Sequence, residues 1–288
     1  MRQNPNFLRV LIDDAARTLR AAGVASPDVD AKILAAHLLG VSPLQLTFVS
    51  EVPEGFPERY GGLVDKRAAR VPLQHVIGVA PFGPLELEVG PGVFIPRPET
   101  EVLADWAVRA LMGMDAEAPV VVDLGTGSGA LALYVKNYVP AARVVAVERS
   151  NDAIAYARGN SQRLGLDIEV VEGDIADPSL LAELSGGVDV VVTNPPYVPD
   201  SDDLDPEVYA DPREAVFSGA DGMEAIRGLV PVAARLLVPS GKLGIEHDDT
   251  TSDAVVAEVE NHGAFTDASV LHDMTGRARF VMASKLTA

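Results

Sequence analysis

The 288-residue chain carries 23 Lys and Arg against 42 Asp and Glu, a formal net charge of −19, and no cysteine. Disulfides, Cys-ligated zinc and thiol nucleophiles are excluded, and a field of this sign disfavours nucleic acid, whose binding rests on Lys and Arg displacing counterions from phosphates. The length suits one large domain plus one small one, and 48% hydrophobic residues suffice for a substantial core.

Leu8, Leu11, Ile12, Ala15 and Leu19 recur at helical spacing until Gly23 stops the run. Ser26-Pro27-Asp28 opens a second helix, with Ala31, Ile33, Leu34 and Leu38, that Gly40 closes; a third follows Pro57 and ends near Arg70. Residues 1–72 thus read as a small helical domain without a chemical motif. Residues 1–90 hold 9 Lys and Arg against 10 Asp and Glu, leaving 14 against 32 for the rest. The near-balanced helical part is therefore the one suited to docking a protein substrate. Neither Met1 to Pro5 nor any later segment offers the apolar run of a signal peptide or a membrane span, so a cytoplasmic chain without membrane contact is expected.

Residues 73–98 change character. Pro81, Pro84, Pro91, Pro96 and Pro98 interrupt short β-like runs such as Leu85 to Val89, as in a proline-rich linker bearing a hairpin. From 99 to 288 the pattern is α/β. Strands are predicted near 120–124, 143–148, 168–172, 188–193 and 241–246 with helices between them, which implies a parallel, doubly wound sheet. Two more, near 266–271 and 279–284, lie too close together for a helix and must form an antiparallel pair.

Val120 to Leu124 runs straight into Gly125-Thr126-Gly127-Ser128-Gly129 and then a helical pattern from Ala130. Glycines at a strand-to-helix turn let the backbone approach a ligand, and free N–H groups at the helix start attract negative charge. The dinucleotide fingerprint wants Gly-x-Gly-x-x-Gly, whereas these glycines strictly alternate. The second strand ends at Glu148, 19 residues after Gly129, where a carboxylate can accept ribose hydroxyls. Asp123 suits the ammonium end of an amino acid, directly or through water. At the end of the third strand Asp174 can accept from an adenine amino group while Ile175 covers the ring. Amino acid plus nucleoside describes S-adenosylmethionine.

The apolar strand Val188 to Thr193 ends abruptly in Asn194-Pro195-Pro196-Tyr197, which cannot continue a sheet. Ligands of open parallel sheets sit beyond the carboxyl ends of the strands, so this tetrapeptide and the glycine loop should share a crevice. Amide and aromatic amino nitrogens are poor nucleophiles and must be oriented. The Asn194 oxygen and the Pro195 carbonyl can each accept one N–H of the acceptor. Pro196 brings no competing donor, and Tyr197 can stack on a flat acceptor. No metal is required, and His37, His75, His247, His262 and His272 show no ligand spacing.

These residues resemble the N5-glutamine methyltransferases that modify peptide-chain release factors. The likeness runs through Pro72 to Gly78 with the hairpin after it, Ile95-Pro96-Arg97-Pro98-Glu99-Thr100-Glu101, Asp123 to Gly129, and Asn194 to Tyr197. The resemblance implies a seven-stranded class I methyltransferase fold behind a helical N-terminal domain. It also implies S-adenosyl-L-methionine as methyl donor, S-adenosyl-L-homocysteine as product, and the glutamine of a release factor's Gly-Gly-Gln as acceptor. Carried over by motif, Asp123, Gly125, Thr126, Gly127, Ser128, Gly129, Glu148, Asp174, Ile175 and Asn194 look like cofactor residues, and Asn194 to Tyr197 like the substrate clamp. A monomer is expected. The alternatives are an adenine-N6 methyltransferase, since the same clamp suits a flipped adenine, and a cofactor-binding scaffold without catalysis. The acidic segment Asp200 to Asp211 carries no motif and reads as a solvated loop, with a flexible flap as the alternative.

Overall fold

The computed structural model describes residues 6–201 and 205–287. Met1 to Pro5, Asp202 to Leu204 in the acidic segment, and Ala288 lie outside the described residues. The chain forms two compact units, Met1–Val79 with Asp205–Ala210, and Ala80–Leu204 with Asp211–Ala288.

The first unit holds α1 (Phe7–Ala21), α2 (Pro27–Leu39), α3 (Phe56–Ala68) and the short α4 (Leu73–Ile77). The apolar stripe of α1 buries Leu8, Ile12, Ala15 and Leu19 against Leu34 of α2 and Phe56 and Tyr60 of α3. Gly40 ends α2 in the left-handed region, at φ 66°, where a Cβ would be strained. The Tyr60 hydroxyl donates to the Ala31 carbonyl at 2.8 Å across the core.

Residues 205–210 belong to this unit through charge. The buried Arg67 donates through Nε to Asp30 at 2.8 Å and through Nη2 to Glu207 at 2.9 Å. Arg70 donates to the same Glu207 and to Asp205, each at 2.9 Å. This part of the acidic segment is therefore not the free solvated loop expected: its carboxylates neutralise guanidinium groups that burial would otherwise leave costly.

In the second unit β1 (Val79–Phe82) and β2 (Leu85–Glu88) form a two-stranded sheet, followed by α5 (Glu101–Met112). Then come β3 (Val120–Leu124), α6 (Ala130–Tyr138), β4 (Arg143–Glu148), α7 (Asn151–Leu164), β5 (Glu169–Glu172) and β6 (Val188–Thr193). The chain closes with α8 (Arg213–Val216), α9 (Glu224–Leu236), β7 (Leu237–Glu246), α10 (Ser252–Asn261), β8 (Phe265–His272) and β9 (Ala278–Lys285).

Seven strands lie in the order β5-β4-β3-β6-β7-β9-β8, with β9 antiparallel to both of its neighbours and the other pairs parallel. Alternate residues of the central strands feed two cores. Val122, Leu124, Val145, Val147 and Val191 face one, and Val121, Val144, Ala146, Val190 and Val192 the other, which is why these strands read as unbroken apolar runs. Helices cover both faces. Residues 73–98, expected as a linker, are divided at Val79. Their hairpin buries Phe82, Leu85 and Leu87 in the second of these cores, beside Leu103 and Leu133, so it packs as a wedge of the large unit.

Candidate active site

From β3 the chain winds outward through β4 to β5 and then returns to β6 on the other side of β3, so the strand order reverses between the neighbours β3 and β6. Such a switch point leaves a crevice beyond the carboxyl ends of the strands. There lies a cavity of about 320 Å³ whose wall includes Gly125, Thr126, Gly127, Ser128, Glu148, Asp174, Ile175, Asn194 and Pro196. Residues from the ends of four strands thus meet in one place, as their positions in the sequence predict.

The glycine loop is built from its own backbone. The Gly125 and Thr126 N–H groups both donate to the Val147 carbonyl at 2.9 Å. Gly127 has φ 56° and donates to Glu148 Oε2 at 2.9 Å, while the Arg149 and Ser150 N–H groups donate to Oε1 at 2.8 and 2.9 Å. Three backbone donors therefore pin the Glu148 carboxylate at the cavity wall. Gly129 starts α6 at φ 90°, and a Cβ there would meet Leu133 at 3.0 Å. Asn160, buried on α7, donates to the Ser128 and Glu88 carbonyls, each at 3.0 Å, tying the loop to the hairpin. The Ser128 hydroxyl lies buried in the cavity wall without a protein partner, a donor suited to a polar ligand. A glycine cradle, a fixed carboxylate and this hydroxyl fit an amino acid joined to a nucleoside.

Asp123 stands behind the glycine loop, with Oδ1 buried and without a protein partner. It is fully buried and outside the cavity wall. Its Oδ2 accepts from the Thr126 hydroxyl at 2.6 Å and the Ala132 N–H at 3.2 Å, which locks the glycine loop onto α6. Burial pushes its carboxyl up to about 7 against the lowering effect of those donors. Gly129 also stands behind the wall, as the hinge into the helix. Asp174 reaches the cavity with Oδ1 accepting from the Ala176 N–H at 2.9 Å, and Ile175 beside it is half-buried.

The clamp splits in the same way. Asn194 and Pro196 line the cavity, whereas Pro195 is buried and Tyr197 turns inward. The Tyr197 hydroxyl donates to Oε1 of Glu246 at 3.2 Å, which ties the phenol end of the ring to the interior end of β7. Burial, reinforced by the Glu246 carboxylate, drives the phenol well above its ordinary range. Gly222 holds the turn from the other side: at φ 73° a Cβ would stand 2.2 Å from the Tyr197 carbonyl oxygen. Val198 then bridges in parallel to Phe217, another wall residue.

Several wall residues escape the strand-end reasoning. Phe94, Pro96 and Thr100 come from the Pro-Arg-Pro-Glu-Thr-Glu region, and Glu214, Phe217 and Glu224 from beyond the acidic segment. Asn194 Nδ2 donates to Thr100 Oγ1 at 3.2 Å. Arg97 lies over the Phe94 ring at 4.8 Å and donates to Asp211 at 2.5 Å, whose other oxygen accepts from the Ile95 N–H at 3.2 Å. The Asp211 side chain is wholly buried, a second departure from the solvated loop expected of residues 200–211. Proline-flanked Arg97 and Thr100 were the available signals. Their partners lie about 100 residues away, and no local spacing reveals them.

Comparison with known proteins agrees with this geometry. Residues 11–78 match the PrmC N-terminal domain and residues 99–210 the methyltransferase small domain. The chain is 57% identical over 275 residues to the release factor glutamine methyltransferase of Corynebacterium glutamicum, covering 95% of this chain and 97% of that one. It is 52% identical over 280 residues to the protein of the same name from Mycolicibacterium smegmatis, covering 97% and 98%. Among solved structures, the T. thermophilus 16S rRNA N2 G1207 methyltransferase in complex with AdoMet and guanosine shares the fold. Its TM-score is 0.51 at 22% identity, over 72% of this chain and 49% of that one. A cavity of methyltransferase design and relatives matched over nearly the whole length lead to one assignment: the chain belongs to the release factor glutamine methyltransferase family.

Proposed function

We propose that this protein transfers the methyl group of S-adenosyl-L-methionine to the side-chain amide nitrogen of a glutamine, that of the Gly-Gly-Gln segment of peptide-chain release factors. The observation that carries this reading is that Asn194 and Pro196 share one cavity wall with Gly125 to Ser128 and Glu148, so an amide-binding group and a nucleoside-binding group face the same space. When bound there, S-adenosylmethionine supplies an electrophilic methyl on a sulfonium.

The protein's own residues bind and orient. Gly125, Thr126 and Gly127, whose N–H groups are spent on Val147 and Glu148, let the cofactor approach the backbone closely, Ser128 offers its free hydroxyl, Glu148 accepts ribose hydroxyls, and Asp174 with Ile175 receives the base. Asp123 supports this set from behind by fixing the loop. At the other end the Asn194 oxygen at the cavity wall accepts one N–H of the glutamine amide, and the carbonyl of Pro195, whose ring is buried behind that wall, accepts the other, which turns the amide lone pair toward the methyl group. Because the sulfonium charge is neutralised as the methyl leaves, no strong base is needed before transfer; the amide proton departs afterwards to water.

A glutamine amide is small and common, so selecting one protein needs a second contact surface. We assign that role to the helical unit, with its near-balanced charge. Replacement of Asn194 tests the reading: Asn194→Ala should fold and bind S-adenosylmethionine as the parent does, yet methylate a release factor at least roughly a hundredfold more slowly. Loss of cofactor affinity with unchanged turnover at saturating cofactor would remove Asn194 from the clamp.

A further inference from the structure

Behind the clamp lies a buried polar chain that the reaction outlined above does not use. Glu246 ends β7 with 1% of its surface exposed. It receives the Tyr197 hydroxyl on Oε1 at 3.2 Å. Thr100, itself buried, stands near enough to favour the ionised form of Glu246, and Oε2 is buried with no hydrogen-bond partner. Thr100 in turn accepts from Asn194 Nδ2 at 3.2 Å. The four residues come from three parts of the second unit: the turn before α5, the clamp that follows β6, and the end of β7.

The order of donors in this chain matters. A threonine hydroxyl has one proton to give. While Glu246 draws that proton, the Thr100 oxygen can only accept from Asn194, so Asn194 must offer it Nδ2 and keep Oδ1 for the cavity. Without an acceptor at Glu246 the hydroxyl is free to turn and donate to Asn194 Oδ1. The amide then presents its N–H groups to the cavity, where they oppose the N–H groups of a glutamine side chain. We propose that Glu246 is a positioning residue of the clamp: acting through Thr100 it fixes which way the Asn194 amide faces, and through Tyr197 it fixes the turn that carries Asn194. This rests on the proposed transfer to a glutamine amide.

The ionised carboxylate is what the arrangement requires, and its surroundings set when it is available. Burial pushes Glu246 up to about 7, opposed by Thr100, Tyr197 and the Arg279 guanidinium of β9 and aided by the nearby Glu99 carboxylate. Adjacent His247 is held below its ordinary range by burial, so it adds no charge at neutral pH. Below about 7 Glu246 takes a proton, so one of its oxygens becomes a donor and Thr100 is no longer obliged to donate to it.

The experiment measures kcat and KM with a purified release factor, together with S-adenosylmethionine affinity, for the parent, Thr100→Val, Thr100→Ser and Glu246→Gln. Valine keeps the shape of threonine without its hydroxyl, so Thr100→Val should lose about thirtyfold or more in kcat while cofactor affinity stays within about threefold, and Thr100→Ser should regain most of the loss. The parent's kcat should climb as pH rises through about 7, and Glu246→Gln should be slower and lack that climb. A Thr100→Val enzyme within about threefold of the parent, a serine variant no better than valine, or an unchanged pH limb in Glu246→Gln would each overturn the proposal. A parent enzyme that leaves the release factor unmethylated would instead overturn the function on which it rests.

Discussion

Glu148 illustrates how a single carboxylate is prepared for a ligand. Three backbone N–H groups hold it in one orientation, so a diol that binds it meets an already ordered acceptor. Glu148→Ala should weaken S-adenosylmethionine binding by about 1 to 3 kcal/mol, the scale of hydrogen bonds to a charged acceptor, as read by calorimetry; unchanged affinity would remove Glu148 from the cofactor site. The buried acids Asp123 and Glu246 behave differently. Each has its folded carboxyl raised by burial to about 7, above the ordinary values of 3.8 and 4.5. A group raised on folding adds stability that is complete below its unfolded value and lost as pH rises through its folded value. Between pH of about 4 and 7 these two groups therefore make the protein less stable as pH increases. Glu246→Gln, which needs no ionisation, should have a higher Tm than the parent at pH 8 and little advantage at pH 5. An advantage independent of pH would show that Glu246 is not held in this state. Glu148 was legible because it ends a strand beside the glycine loop. Glu246 also ends an apolar strand, yet its partner Thr100 is 146 positions earlier, and only the fold joins them.

At the scale of elements, periodicity carried most of the information. The apolar spacing of α1, the Gly40 stop after α2 and the unbroken valine runs of β3, β4 and β6 each follow from one face or two being buried. What escaped were the pieces held by distant partners. Nothing around residues 205–207 marks them as part of the helical unit, because the arginines they neutralise stand about 140 residues earlier. The two ends of that network should weigh differently. Arg67 and Asp30 are both buried, so Arg67→Ala should destabilise the protein by about 3 to 5 kcal/mol by leaving an unpaired buried charge. The Asp205 side chain is 60% exposed, and Asp205→Asn should cost less than about 1 kcal/mol. Thermal unfolding of the two variants decides this; equal losses would show that the network does not bury its charge at Arg67.

For the whole molecule, the division of labour between units makes its own demand. If the helical unit docks the protein substrate, its exposed apolar residues are the anchors: Leu44 and Phe48, on the short 3-10 helix Pro43–Phe48, are 86% and 85% exposed. The double substitution Leu44→Asp with Phe48→Asp should raise KM for an intact release factor about tenfold or more while leaving S-adenosylmethionine affinity within about twofold. Unchanged KM would place recognition elsewhere. The glutamine amide has one rival as acceptor, the amino group of a nucleic-acid base, which presents a similar shape to the same kind of clamp but comes with phosphates that the charge of −19 repels. Incubating the enzyme with labelled S-adenosylmethionine, a purified release factor and nucleic acid in one reaction, and locating the methyl group by peptide mass spectrometry, tests transfer to the amide most directly. The label should appear on the Gly-Gly-Gln glutamine and vanish when that glutamine is replaced, with the nucleic acid unlabelled; label on adenine, or on a release factor lacking that glutamine, would contradict it.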